Sequence, residues 1–170
     1  MRVFVTGASG HLVSAVVPEL IAAGHDVVGL ARSDTASATV TALGASARRG
    51  DIDDPDVLAA AAAECDGVIH LAFKHDQMRS GEYAAAIAAD LAVVRALGDA
   101  LAGTGKPLVG TSGTLALAYL DRPGTEEDAG APGGRIEAEN AVIGFGERGV
   151  RSSVVRVPPI THSTVISAWA

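Results

Sequence analysis

Cysteine occurs once in this sequence, at Cys65, and aromatic side chains make up only 4% of the residues. A single cysteine excludes an internal disulfide framework and is compatible with a reducing compartment, so we expect a cytoplasmic protein. With so few aromatics, the core must be built from alanine, valine, leucine and isoleucine. We expect Cys65 itself to be a small buried residue near a helix end rather than a nucleophile.

Long apolar runs and excess positive charge are also missing. No run approaches the length of a membrane span, and the first residues already indicate a strand, so we expect no signal peptide. The formal charge of -7 excludes an electrostatic footprint for nucleic acid or an acidic membrane. His70, His75 and Cys65 lack a plausible zinc spacing, so we expect no metal site. A small-molecule substrate is the partner that remains.

Strand and helix patterns alternate along the whole chain. Its 170 residues are 48% apolar and 19% charged, which is enough for one globular domain. The alternation predicts an α/β fold, a three-layer doubly wound parallel sheet of about six strands. We place strands at 2–6, 26–31, 45–49, 67–72, 107–110 and 151–157. We place helices at 11–23 with a kink at Pro18, at 35–43, from 54 onward, at 81–102 with an apolar stripe through Ile87, Leu91, Val94 and Leu101, and at 135–148.

A glycine turn joins the first strand to the first helix. Gly7 permits a sharp turn, and Gly10 lets the backbone approach a pyrophosphate without a Cβ in the way. The free N–H groups of the following helix favour an anion. The alternative is an ordinary glycine-rich turn between strand and helix. The third glycine of the usual fingerprint is replaced by Val13, so the helix is expected to sit slightly further from the sheet.

The segment Thr6-Gly-Ala-Ser-Gly-His-Leu12 resembles the opening of the extended and atypical short-chain dehydrogenase/reductases. That group includes the NAD(P)-dependent sugar epimerases and dehydratases and their reductase relatives. The resemblance covers nearly the whole chain and implies a Rossmann fold. It also implies cofactor contacts in this turn, from Gly7, Ser9, Gly10, His11 and Leu12.

The end of the second strand bears on the choice of cofactor. In this fold an acidic residue there binds the ribose 2′-hydroxyl of NAD, whereas an arginine accommodates the 2′-phosphate of NADP. Arg32 and Ser33 therefore favour NADP. Asp34 lies close by and weakens that preference, so NAD remains possible, and a solvated loop arginine is the alternative.

Three further segments resemble cofactor-contacting parts of the family. Asp51 and Ile52 resemble residues that flank the adenine, although Asp54-Pro55 equally indicates a plain helix start. The segment His70-Leu71-Ala72 resembles one that passes beside the cofactor, and it leads to the strand-end residues Phe73 and Lys74, whose alternative is a solvated loop. Val157 and Pro158 resemble the family's edge beside the nicotinamide.

The usual catalytic residues of the superfamily are not found in these 170 residues. The two lysines, Lys74 and Lys106, are preceded four positions earlier by His70 and Ala102, so no Tyr-x-x-x-Lys motif is present. Alignment by neighbouring residues puts Gly133 and Glu137 at its two positions. We expect Ser112 and Thr114 to be the remaining hydrogen-bond donors to a carbonyl oxygen, unless they merely cap their loop. Tyr119 or Lys74 would have to supply a proton.

Two classes of function follow. The first is an oxidoreductase that moves a hydride between NADP(H) and a small carbonyl or alcohol substrate, with slow or no turnover by this chain alone. The second is a non-catalytic dinucleotide-binding module with a redox-sensing or regulatory role. We expect residues 1–159 to be the NAD(P)-binding domain and 160–170 to be the remnant or start of a largely absent substrate region. A homodimer through helices 81–102 and 133–148 is a further expectation.

Overall fold

The computed structural model describes residues 1–8 and 12–159. Its strands are β1 (Arg2–Thr6), β2 (Asp26–Ala31), β3 (Ser46–Arg49), β4 (Gly67–His70), β5 (Pro107–Gly113) and β6 (Arg151–Val157). They form one parallel sheet in the order β3-β2-β1-β4-β5-β6. β1 lies in the middle of the sheet. The chain adds β2 and then β3 on one side of β1, crosses over, and adds β4, β5 and β6 in turn on the other side. The predicted doubly wound fold is confirmed, and its switch point lies between β1 and β4.

The helices are α1 (Val13–Ala22), α2 (Asp34–Ala42), α3 (Pro55–Glu64), α4 (His75–Arg79), α5 (Tyr83–Leu101) and α6 (Ile136–Gly144). Two begin at side-chain caps. The Ser33 hydroxyl accepts the Ala36 N–H at α2, and the Asp54 carboxylate accepts two N–H groups at α3. No helix in the described part of the chain is long and apolar enough to span a membrane.

Two apolar layers cover the sheet. The layer that holds α1 and α2 packs on the strand residues Val3, Val5 and Val27. The opposite layer holds α3, α5 and α6 and packs on Phe4, Val68 and Leu108, among others. Val13, in the place of the third glycine, is buried in the first layer. Each strand of the middle of the sheet is thus buried on both faces, as its unbroken apolar sequence predicts.

Several element boundaries differ from the sequence-based ones. Strand β4 ends at His70, two residues earlier than predicted, and β5 continues to Gly113, three residues later. The reason is that β5 pairs with β4 only as far as Val109, whereas it pairs with β6 as far as Val157. The segment after β4, for which a solvated loop was the alternative interpretation, contains the start of α4 at His75. The helix predicted over 135–148 is α6 followed by a 3₁₀ turn, Phe145–Arg148.

Cys65 ends α3 and is fully enclosed by the core. Burial raises the pKa of its thiol, which makes the reactive thiolate scarce at neutral pH. This confirms the expectation of a small core residue near a helix end.

Candidate functional site

The turn after β1 is packed against the backbone that follows β4. Gly7 has φ +74°, and a Cβ there would lie 2.8 Å from the Ala72 nitrogen and 2.9 Å from its Cα. Only glycine satisfies both the left-handed conformation and the close approach. The expected phosphate-contacting residues Ser9, Gly10 and His11 lie outside the described residues, and Leu12 is the half-buried residue just before α1.

A buried polar chain lies directly beneath this turn. The Thr6 hydroxyl is 2.6 Å from His70 Nδ1, and it also accepts the Ala72 N–H at 3.4 Å. The His70 Nε2–H donates to the Asp90 carboxylate of α5 at 3.1 Å. Because all these groups are buried, each needs its partner. The chain Thr6–His70–Asp90 therefore fixes the ends of β1 and β4 relative to each other and to α5.

Arg135 precedes α6 and reaches back over the end of β4. Its guanidinium lies 4.0 Å from the centre of the Phe73 ring and its Nε lies 3.8 Å from Asp90 Oδ2. Phe73 in turn meets the His75 ring edge-on. Partial burial, and then the charge of Arg135, lower the pKa of His75. The guanidinium of Arg135 thus lies beside the buried carboxylate of Asp90 at the edge of the sheet after β4.

The end of β2 presents a second cation. Arg32 is exposed and makes no ion pair with any residue in the described ranges. The Ser33 hydroxyl caps α2 by accepting the Ala36 N–H, and a hydroxyl that accepts one hydrogen bond can also donate one. Asp34 is bound by Arg49, Nη1 to Oδ1 at 2.7 Å. The negative charge that weakened the NADP interpretation is therefore paired with an arginine.

The loops after β3 and β4 are tied together. Lys74 Nζ lies 2.6 Å from Asp53 Oδ2, so its charge is partly committed within the chain. Asp51 is exposed and its carboxylate accepts the Asp53 N–H, whereas Ile52 packs against the core. Both interpretations of this loop are compatible with the structure: it is a turn before α3, and its exposed side could lie beside an adenine.

Ser112 lies on the α6 side of β5 and is buried beside Glu139 of α6. Glu139 Oε1 accepts from Arg156 Nε on β6 at 3.0 Å and also from Nη2. Burial acts to raise the pKa of Glu139, but Arg156 and the nearby Ser112 hydroxyl outweigh it and lower the pKa. Ser112 Oγ and Glu139 Oε2 make no hydrogen bond of good geometry within the described ranges. Ser112 is thus beside an ion pair, in a more enclosed place than its sequence suggested.

Thr114 and Tyr119 lie in the exposed segment after β5. Thr114 starts a 3₁₀ turn, and the Tyr119 hydroxyl donates to the Ala129 carbonyl at 2.8 Å. Arg122 hydrogen-bonds to Asp128 and holds the pKa of that carboxyl well below its usual range. At the end of β6, Val157 is half-buried beside Gly113, and Pro158 is exposed.

The glycine turn at the switch point and the strand-end cations suggest a nucleotide site, and comparison with known proteins decides the family. The profile described as the NAD dependent epimerase/dehydratase family matches residues 3–134. The chain belongs to that family. The resemblance to extended short-chain dehydrogenase/reductases is thereby confirmed.

Individual relatives fit this assignment. An uncharacterised protein of Schizosaccharomyces pombe is 42% identical over 164 residues, covering 95% of this chain and 55% of its own length. The 4-hydroxy-2-methyl-3-oxo-4-farnesyl-3,4-dihydroquinoline-1-oxide ketoreductase of Stigmatella aurantiaca is 31% identical over 170 residues, covering 92% and 49%.

Among solved structures, a dTDP-glucose 4,6-dehydratase of Streptomyces venezuelae with NAD bound shares the fold, with a TM-score of 0.74 and 20% identity, covering 92% of this chain and 55% of that one. The present chain thus spans about half the length of the relatives it matches.

Four residues of this epimerase/dehydratase domain were missed by sequence reasoning: Asp90, Arg135, Glu139 and Arg156. Asp90 lies between the buried residues Ala86 and Val94 of α5, at helical spacing. Glu139 similarly lies between Ile136 and Val142 on α6. A carboxylate on a buried helical stripe was the available signal, since such a group needs a partner. Nothing in the sequence identified that partner.

Proposed function

We propose that this chain is the dinucleotide-binding part of an oxidoreductase that moves a hydride between NADP(H) and a small carbonyl or alcohol substrate. The observation that carries the proposal is the turn at Gly7, held against Ala72 at the switch point of the sheet. Ligands of open α/β sheets bind at this place. The ketoreductase relative supports the reaction class.

The described residues fit such a cofactor at both of its ends. Gly7 lets the turn after β1 close against Ala72 at the switch point, and Arg32, which makes no ion pair with any described residue, follows the strand end that contacts the adenosine ribose in this fold. For the nicotinamide end, Ser112 lies near the carboxyl end of β5, and Thr114 and Tyr119 follow that strand in the chain. When bound, the nicotinamide would supply the hydride.

For catalysis, we propose that the exposed Thr114 hydroxyl orients the substrate oxygen. Ser112 is buried beside Glu139, so its hydroxyl is enclosed and less available to a substrate than that of Thr114. Tyr119 donates its proton to the Ala129 carbonyl, and it would have to leave that bond to serve a substrate. These arrangements favour slow turnover of simple ketones and alcohols.

The proposal is tested by calorimetry with NADP and NAD, followed by steady-state NADPH oxidation across a panel of small carbonyl compounds. We expect binding of at least one dinucleotide and slow or undetectable oxidation. Ser112→Ala and Tyr119→Phe serve as comparisons in the kinetic assay. Absence of heat and of a thermal shift with both dinucleotides would end the proposal. Brisk turnover abolished by either substitution would instead identify the missing acid.

We expect Arg32→Ala to weaken NADP binding and leave NAD nearly unchanged. A charge-assisted bond to a phosphate is worth about 1.5–3 kcal/mol, which is roughly tenfold or more in affinity. Arg95→Ala, at an exposed position of α5, is the control and should change neither affinity. Equal losses for both cofactors in Arg32→Ala would show that Arg32 does not contact the 2′-phosphate.

A further inference from the structure

We propose that Arg49, at the end of β3, is a second determinant of cofactor choice: it binds the 2′-phosphate of NADP together with Arg32, and releases Asp34 to do so. This inference rests on the proposed function. It differs from the Arg32 assignment because Arg49 itself carried no role in the sequence interpretation.

The sheet register places Arg49 at the same carboxyl edge of the sheet as the end of β2. Arg49 is paired with Ala31, the last residue of β2, and the Gly50 N–H donates to the Ala31 carbonyl at 3.2 Å. Because β2 and β3 are parallel, both strands end at the same edge of the sheet. Arg32 is the next residue after Ala31, so Arg32 and Arg49 lie at the same edge of the sheet, at the ends of neighbouring strands.

The bond that Arg49 makes now is easily exchanged. Its side chain is 56% exposed and that of Asp34 is fully exposed, and ion pairs in water contribute little to stability. A phosphate monoester carries more negative charge than a carboxylate and offers three acceptor oxygens. A phosphate held by Arg32 would therefore compete with Asp34 for the Arg49 guanidinium.

Asp34 acquires a definite role in this arrangement. Without a counter-ion, a carboxylate one residue after Ser33 would repel a 2′-phosphate. Arg49 neutralises that charge and can also bind the phosphate. Loss of Arg49 would therefore weaken NADP binding for two reasons: it removes a phosphate ligand and it leaves Asp34 unpaired. Removal of the Asp34 charge should, in contrast, favour NADP.

A matched control lies one residue away. Arg48 is on the same strand and also donates to a carboxylate, Glu64 of α3, at 2.6 Å. Neighbouring residues of a strand point to opposite faces of the sheet, and α3 belongs to the layer opposite α2. Arg48→Met thus removes the same charge and a similar ion pair without touching the proposed phosphate position.

The experiment is calorimetric titration of the full chain and its variants with NADP and with NAD. We expect Arg49→Met to weaken NADP binding at least tenfold and to change NAD binding less than threefold. Asp34→Asn should strengthen NADP binding two- to fivefold, and Arg48→Met should change neither. In the double variant Arg49→Met/Asp34→Asn, NADP binding should recover part of the loss. Thermal unfolding confirms that each variant is folded, as these exposed sites allow.

Each contrary outcome overturns a distinct statement. If Arg49→Met binds NADP as Arg48→Met does, Arg49 is a surface ion pair only, while wild-type binding and the Arg32 effect stand. If Asp34→Asn loses NAD binding tenfold, Asp34 binds the ribose of NAD and is more than an exchangeable partner of Arg49. If the wild type binds NAD but not NADP, this inference fails and dinucleotide binding survives. If it binds neither, the proposed function fails together with it.

Discussion

Replacing Arg156 by methionine should lower the melting temperature of the protein by roughly 6–20 °C. Arg156 is the partner of Glu139, whose side chain is only 1% exposed. Breaking a buried ion pair by removing one member costs about 3–5 kcal/mol, because it leaves an uncompensated charge. In a chain of this size each kcal/mol is worth about 2–4 °C. Thermal unfolding followed by circular dichroism at pH 7 measures the effect.

Two variants separate this explanation from a general loss of charge. Arg148→Met removes an exposed pair with Asp99 and should cost less than about 1 kcal/mol. The double variant Arg156→Met/Glu139→Gln removes the buried charge as well as its partner, and should recover most of the lost stability. If Arg156→Met is no worse than Arg148→Met, the Glu139–Arg156 pair does not hold α6 to β6.

The same pair gives a pH dependence of known sign. The pKa of Glu139 is lowered in the folded wild type, so its stabilising contribution is full above the unfolded value, about 4.3, and declines as pH falls through the folded value. In Arg156→Met no arginine opposes the effect of burial, so the pKa of Glu139 rises. Protonation of Glu139 at lower pH then removes the uncompensated charge that destabilises the variant. The difference in melting temperature between wild type and variant should therefore narrow between pH 7 and pH 4.

Gly7→Ala should reduce NADP binding at least tenfold and destabilise the fold. A left-handed alanine costs about 1–2 kcal/mol, and its Cβ would lie 2.8 Å from the Ala72 nitrogen. Either the turn or the strand end must move, which displaces the backbone proposed to hold the pyrophosphate. Calorimetry with NADP and thermal unfolding together measure both consequences.

Gly24 provides the control for the conformational part. It has φ +81°, and a Cβ there meets nothing within 4 Å. Gly24→Ala should therefore show a loss of stability from strain with unchanged NADP affinity. The proposed site would be wrong if Gly7→Ala bound NADP as tightly as Gly24→Ala.

The architecture could be predicted from the sequence because strands and helices each leave a local pattern of apolar and capping residues. The apolar β-branched run at β1 and the helix start at Asp54-Pro55 are local signals, and the structure confirms both. Strand ends were less accurate. Whether Ser112 continues a strand depends on β6, which is far along the chain and extends the pairing beyond the limit of β4.

The candidate site was predicted where it depends on local backbone and missed where it depends on tertiary partners. Gly7 could be assigned from the strand, turn and helix around it. Arg135 could not, because its place above Phe73 and beside Asp90 comes from three separate elements. Ser112 appeared to be an available hydroxyl until Glu139 was found beside it.

The position of β1 at the centre of the sheet has a consequence for synthesis on the ribosome. Its first neighbour, β2, follows directly, but its other neighbour, β4, is made much later: Thr6 and His70 are 64 residues apart. The turn at Gly7 is closed by Ala72, and Thr6 is held by His70. A nascent chain of which only β1 to β3 have left the ribosome therefore contains the glycine turn without His70 and Ala72, against which the turn packs. The turn, although it is translated before β2 and β3, acquires its native form only when β4 has emerged, and until then it stays exposed to misfolding and to chaperones.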